Sequence, residues 1–306
     1  MNKFSYLKTV IIYLNILIYS ICSVYSQNNG NNSYTLLSEY NKQLKKFPFI
    51  EMVNPIIDSL IEENNNIIYL ENKNDTLYLD TYLYKSNVNL PAILLIHGGG
   101  WASGNKSMLK PLAQHIAKKG YNCFSIEYRL SDAAQYPASI NDVLEALEFI
   151  KTNASRFNID TLNVAILGCS SGAQMASLLG AKYPEKFQAI INLDGILAFH
   201  HPESSEGRMA SKWLGGTYEE KPEIWKEASA LSHVSKKTPP ILFINSQFSR
   251  FHAGRDDMIK ILNKHKIYNR VEEIKNSPHT FWLFEPWFDD TVSYITSFLD
   301  QQFKLN

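Results

Sequence analysis

The chain has 306 residues, 45% of them hydrophobic and 20% charged, an ordinary composition for a folded globular protein with a full core. Thirty Lys and Arg balance thirty Asp and Glu, so no global charge excess points to nucleic acid, an anionic membrane or a polyanionic partner, and any charge recognition must be local. The three cysteines show no metal-ligand spacing and are too few for a disulfide framework.

The first stretch has the order of a secretion signal: Lys3 and Lys8, an apolar run from Val10 to Cys22, then Val24-Tyr25-Ser26 before Gln27. The run is shorter than the ~20 apolar residues of a membrane span and is interrupted by Asn15. Cleavage after Ser26 is therefore expected, rather than anchoring, and the bulky Ile21 argues against lipidation of Cys22. The mature protein is expected outside the cytoplasm, secreted or periplasmic, with no stable membrane association. It would keep Cys123 and Cys169, read as buried free thiols.

Residues 27–33 carry Asn at four of seven positions and read as a disordered leader; with the residues up to 60 they form an N-terminal extension. The catalytic domain is expected over 61–306. It starts with a hairpin, in which Ile67-Ile68-Tyr69-Leu70 and Leu77 to Tyr84 are separated by Asn72-Lys73-Asn74-Asp75.

From residue 91 short apolar strands (92–96, 121–127, 164–167, 189–193, 241–245 and 271–275) alternate with helical stretches (107–119, 140–155, 171–182, 255–265 and 287–303). Val143, Leu147 and Ile150, for instance, share one helical face. This alternation predicts an α/β fold with a mostly parallel sheet covered on both faces. Residues 196–238 break it, with Gly215-Gly216, several prolines, Trp213 and Trp225, and read as a small cap inserted between sheet strands.

Two motifs carry the chemistry. Gly168-Cys169-Ser170-Ser171-Gly172 follows the strand Val164-Ala165-Ile166-Leu167 directly and precedes a helical run. In that strand, turn, helix context a G-x-S-x-G makes a sharp turn that exposes the serine. His97-Gly98-Gly99-Gly100-Trp101 follows the strand that ends at Ile96. Backbone N–H groups of Gly99 and Gly100, with that of Ser171, would stabilise the oxyanion formed when Ser170 attacks a carbonyl.

At these motifs the chain resembles the α/β-hydrolase superfamily, in particular esterases of the hormone-sensitive-lipase and secreted bacterial carbohydrate-esterase types. Glu127-Tyr128-Arg129-Leu130-Ser131, Tyr136-Pro137-Ala138 and Asn141-Asp142-Val143 extend the likeness, which covers roughly residues 66–303. The resemblance implies Ser170 as nucleophile and His279 as base, because Ser277-Pro278-His279 follows the last strand. His115, His233 and His265 lie in helical or polar loop segments with weaker claims.

The acid departs from the pattern. The loop that usually carries it reads Asn245-Ser246-Gln247-Phe248-Ser249-Arg250, with no carboxylate. Asp194, at the end of the preceding strand, and Asp256, farther along the usual loop, are the two replacements, with Asp194 favoured. Asp256 also reads as a helix N-terminal carboxylate that offsets the dipole.

The implied reaction is acyl transfer through an acyl-enzyme, which needs neither metal nor organic cofactor. The resemblance to secreted carbohydrate esterases, together with the secretion signal, implies a polysaccharide substrate with acetyl or methyl esters of pectin or xylan type, or else a small ester. The cap segment Lys212 to Glu220 is mixed in polarity, unlike a lipid-facing lid. Trp101, Trp213, Trp225, Trp282 and Trp287 read as sugar-stacking surfaces or as core. Arg250, His252 and Arg255 read as a grip on a sugar carboxylate, or Arg255 as a partner of Asp256 or Asp257. A prolyl-type peptidase and a non-catalytic binding protein on the same scaffold are the rival readings.

Overall fold

The structure is a computed structural model that describes residues 34–205 and 207–303, all within one compact unit. The expected signal peptide at 1–26 and the leader at 27–33 lie outside the described residues.

In chain order the elements are α1 (Leu36–Gln43), β1 (Glu51–Met52), β2 (Ile61–Glu71), β3 (Thr76–Tyr84), β4 (Leu90–Ile96), α2 (Lys110–Ala117), β5 (Asn122–Ile126), α3 (Ala138–Thr152) and α4 (Ala154–Phe157). The chain continues with β6 (Ile159–Cys169), α5 (Ser171–Lys182), β7 (Ala189–Leu193), α6 (Gly207–Leu214), α7 (Pro222–Glu227), β8 (Ile241–Ser246), α8 (Arg255–Lys264), β9 (Asn269–Ile274), β10 (Phe284–Glu285) and α9 (Phe288–Phe303).

Among the described residues, eight strands form one sheet in the order β2-β3-β5-β4-β6-β7-β8-β9. The pairs β2–β3 and β3–β5 are antiparallel, and from β5 through β9 every pairing is parallel. This is the α/β-hydrolase arrangement.

The alternation of strand side chains divides the core between the two faces. Ile93, Leu95, Ala165, Leu167, Ile191 and Leu242 pack with Leu112 and Ile116 of α2 and with Ile295, Phe298 and Leu299 of α9. Leu94, Ile96, Ile166, Ile190 and Phe243 pack with Val143 and Leu147 of α3, Met175 and Leu179 of α5, and Met258 and Leu262 of α8. Each such fully buried side chain stabilises the fold by roughly 1.5–3 kcal/mol of transfer energy.

The hairpin begins earlier than its apolar runs suggest. β2 starts at Ile61, opposite Tyr84, and includes the polar run Glu62 to Asn66. β2 is an edge strand with much of its length facing solvent, so polar side chains cost it nothing. The turn closes as expected, with Asn72 Oδ1 accepting from the N–H groups of Asn74 and Asp75 at 2.9 and 3.0 Å.

The N-terminal extension is part of the catalytic unit, contrary to a domain start at 61. α1 is capped by Thr35 and Ser38, each side chain accepting from the other's backbone N–H at 3.1 and 2.9 Å. β1 pairs antiparallel with β10, and Phe47 meets Trp287 edge-on, so the segment packs beside α9. The cap region holds the short helices α6 and α7 as well as loops.

Candidate active site

The C-terminal ends of the central parallel strands meet at one point. β6 ends at Cys169, α5 starts at Ser171, and Ser170 between them is held at φ 54° and ψ −121°. Such a conformation costs an L-residue on the order of 1–3 kcal/mol and persists only where the surroundings impose it. The Ser170 N–H donates to Leu193 O at 2.8 Å, and its carbonyl accepts from Ala173 and Gln174 at 2.9 and 3.0 Å. A Cβ at Gly172 would lie 2.2 Å from the Ile96 carbonyl oxygen, so the elbow packs against β4 only with glycine there.

His279 lies in the loop after β9. Its Nε2 is 2.8 Å from Ser170 Oγ and its Nδ1 is 2.8 Å from Asp194 Oδ2. Asp194 sits just past β7, is 1% exposed, and also accepts from the Ser246 N–H at 2.9 Å and from the Ser246 hydroxyl. Burial alone would push its carboxyl up, but contacts with His252 and His279, with the help of Ser246, outweigh it and hold the group below its ordinary value. An ionised carboxylate only accepts, so Nδ1 carries the proton and Nε2 is free to take one from Ser170. The imidazole is fixed between the Phe251 ring, stacked on it at 3.5 Å, and the Trp282 ring, edge-on at 5.4 Å.

The structure thus joins His279 to Asp194 and not to Asp256. Asp256 is 67% exposed in the first turn of α8 and accepts from Arg255 Nε at 2.8 Å. Its place is that of a helix N-terminal carboxylate.

Gly99, Gly100 and Ser171 line one cavity of about 330 Å³ together with Ser170 and His279. Gly99 has φ 129°, and a Cβ on it would lie 2.0 Å from Ser103 O. Ser171 opens α5, where backbone N–H groups have no acceptor within the helix and carry its positive end. His97 points into the protein, its Nδ1 2.8 Å from Gly98 O and its ring stacked on Tyr128 at 4.4 Å. Burial holds its pKa down to about 4, so it braces the glycine loop as a neutral ring.

Other expected binding residues separate. Arg250 lines the cavity. His252 does not: it is buried behind the acid, its Nδ1 3.7 Å from Asp194 Oδ1. Arg255 is held by Asp256 and by Asn245 Oδ1 at 3.0 Å, the local pairing rather than the sugar grip. Trp101 borders the cavity but is buried, stacked on Trp213 at 5.1 Å and bonded through Nε1 to Gln174 Oε1 at 3.0 Å. Trp213, Trp225, Trp282 and Trp287 are buried too, so these five indoles are core and offer no open sugar-stacking face.

Sequence reasoning missed part of the wall. Tyr34, Glu39 and Lys42, from α1 and the residue before its cap, line the same cavity, as do Phe251 and Met209. Glu39 Oε1 accepts from Thr280 Oγ1 at 3.1 Å and from Gln43 Nε2 at 2.6 Å, tying α1 to the residue after His279. The Thr35–Ser38 cap was the one local sign of order there.

Residues 79–270 match the family model described as BD-FAE, well over half of the chain. The chain belongs to the BD-FAE family. Among curated relatives of this BD-FAE protein, Esterase LipC of Mycobacterium tuberculosis is 24% identical over 206 residues, 61% of this chain and 49% of LipC. The chain spans about half the length of the curated relatives it matches.

Among solved structures, a truncated carbohydrate esterase from gut microbiota superposes with a TM-score of 0.66 at 22% identity, covering 81% of this chain and 98% of that one. An acetyl ester-xyloside bifunctional hydrolase from Caldicellulosiruptor lactoaceticus gives 0.66 at 20%, covering 79% and 98%. These likenesses show the shared fold. Among the described residues no helix is long and apolar enough to cross a membrane.

Proposed function

We propose that this BD-FAE protein is a secreted serine carboxylic-ester hydrolase that removes acetyl or methyl esters from a plant-type polysaccharide such as pectin or xylan. The observation that carries the reading is the hydrogen-bonded line from Ser170 Oγ through His279 to buried Asp194, beside the Gly99–Gly100 loop. Ser170 attacks the ester carbonyl while His279 Nε2 takes its proton, and the oxyanion is held by backbone N–H groups of Gly99, Gly100 and Ser171. The tetrahedral species expels the alcohol, which leaves with the proton from His279. Water, deprotonated by the same imidazole, then attacks the acyl-Ser170 ester; the acid is freed as His279 returns the proton to the departing Ser170 Oγ.

Asp194 holds the imidazole in one tautomer and stabilises its cationic form during each transfer. The polysaccharide part of the reading is supported by the carbohydrate-esterase neighbours, the exposed Lys42 and Arg250 in the cavity wall and the signal-like N-terminus.

The test is release of acetate and methanol from acetylated xylan, acetylated pectin and methylated pectin by the wild type and Ser170→Ala. Release that depends on Ser170 is expected, and no Ser170-dependent release from any of the three would refute the polysaccharide assignment. N-terminal sequencing of the exported protein is expected to begin at Gln27.

A further inference from the structure

Among the described residues four charged side chains line the cavity, Glu39, Lys42, Asp194 and Arg250, with His279 beside them. Three of them have side-chain partners. Asp194 faces His279, and Glu39, 3% exposed, receives Lys42 Nζ at 3.1 Å. Arg250 is left over. It is exposed, and among the described residues it has no carboxylate within 4.0 Å and donates no hydrogen bond. Its guanidinium carbon lies 4.2 Å from the Phe251 ring centroid, and that ring in turn stacks on His279.

An arginine that merely covered an aromatic ring would satisfy the cation–π contact and nothing more. This one stands at the wall of the cavity that contains Ser170, one aromatic ring removed from the His279 imidazole, with its donor fork unpaired. Across the same cavity Lys42 adds a second cation, 70% exposed although shared with Glu39. Among the described residues the exposed charge of the cavity wall is therefore positive, while its two carboxylates, Glu39 and Asp194, are buried and engaged.

We propose that the cavity mouth binds a substrate carboxylate beside the scissile ester, with Arg250 as the specificity-determining residue and Lys42 as an auxiliary cation. The inference rests on the ester-hydrolase reading and sharpens it: the substrate class becomes an O-acetylated oligouronide, whose sugar rings carry ester and carboxylate within one or two residues of each other. A guanidinium suits this task because its planar fork donates two parallel hydrogen bonds to a carboxylate, which an ammonium does not.

The experiment compares kcat/KM on an O-acetylated oligogalacturonide with that on an O-acetylated xylo-oligosaccharide, for wild type, Arg250→Gln, Arg250→Lys and Lys42→Gln. The acidic-to-neutral ratio is expected to fall about tenfold or more in Arg250→Gln, mostly through KM, and two- to threefold in Lys42→Gln, with Arg250→Lys in between. Raising the salt from 0.05 to 0.5 M should lower the wild-type ratio and change that of Arg250→Gln much less.

A wild type that hydrolyses both esters with a ratio unchanged by Arg250→Gln would overturn the carboxylate site and leave the esterase reading standing. Hydrolysis of neither would count against the acetylated-polysaccharide reading on which the inference rests. In that event calorimetric binding of trigalacturonate to Ser170→Ala and to Ser170→Ala/Arg250→Gln still decides the carboxylate site. Affinity about tenfold weaker in the double variant supports it, and equal affinity, or equal affinity for xylotriose, refutes it.

Discussion

The floor of the site and its rim are built by opposite means. The floor, made of the Ser170 elbow and the Gly99–Gly100 loop, is shaped by backbone collisions between residues close to the ends of β4 and β6. The rim, made of α1 and the Phe248–His252 loop, is held by side chains that reach across the chain, as Thr280 does to Glu39 over 241 residues. The floor therefore tolerates almost no change at its glycines, whereas exposed rim side chains such as Arg250 meet no such steric limit. On the proposed reading, chemistry belongs to the first region and selection to the second.

The largest effects should come from the floor. Ser170→Ala is expected to lower kcat by about 10⁵-fold or more in a chromogenic acetate assay, leaving only the residual effect of binding and oxyanion donors. Asp194→Asn should cost about 10⁴-fold in kcat because the imidazole loses its tautomer, whereas Asp256→Asn stays within about twofold. A large loss in Asp256→Asn would erase the contrast between the two loops. Gly99→Ala, whose Cβ would meet Ser103 O, should lower kcat about 10²- to 10³-fold by displacing an oxyanion donor.

Smaller effects touch stability. Unfolded His97 titrates near 6.5 and folded His97 near 4. Between those values the unfolded chain binds the extra proton, so the contribution is complete above about pH 6.5, declines as pH falls, and is lost below about pH 4. The decline amounts to about 3 kcal/mol and should appear in urea unfolding measured from pH 7 to 4, with a shallower slope for His97→Asn. Asp194, held low, adds a further loss at still lower pH. At the rim, Glu39→Leu removes the acceptor of Thr280, Gln43 and Lys42 and should destabilise by about 1–3 kcal/mol, raising KM more than it lowers kcat.

Legibility in the sequence follows the same division. The alternation of short apolar strands and amphipathic helices specified the parallel sheet, because both of its faces are buried and the pattern is local. The elbow and the glycine loop were readable for the same reason: a steric need confined to five residues leaves a spelled-out motif. Asp194 was readable only as one of two choices, because which carboxylate meets His279 depends on how far β7 and β8 extend, and the two residues lie 85 positions apart.

Polar Glu62 to Asn66 concealed the start of β2, since an edge strand facing water needs no apolar face. Tyr34, Glu39 and Lys42 were not readable as site residues at all. Their role is set by contacts with Thr280 and the cavity, which no spacing within the first sixty residues encodes. The tryptophans stayed open between stacking surface and core for a related reason: composition counts an indole, whereas only packing tells that Trp213 covers the face of Trp101.

The most direct test of the central claim is the rate at which a fluorophosphonate labels the protein, followed by intact mass and peptide mapping in the wild type, Asp194→Asn and Asp256→Asn. A single adduct on Ser170 is expected, slowed by orders of magnitude in Asp194→Asn and unchanged in Asp256→Asn. An adduct on another residue, or slowing in Asp256→Asn but not in Asp194→Asn, would contradict the account.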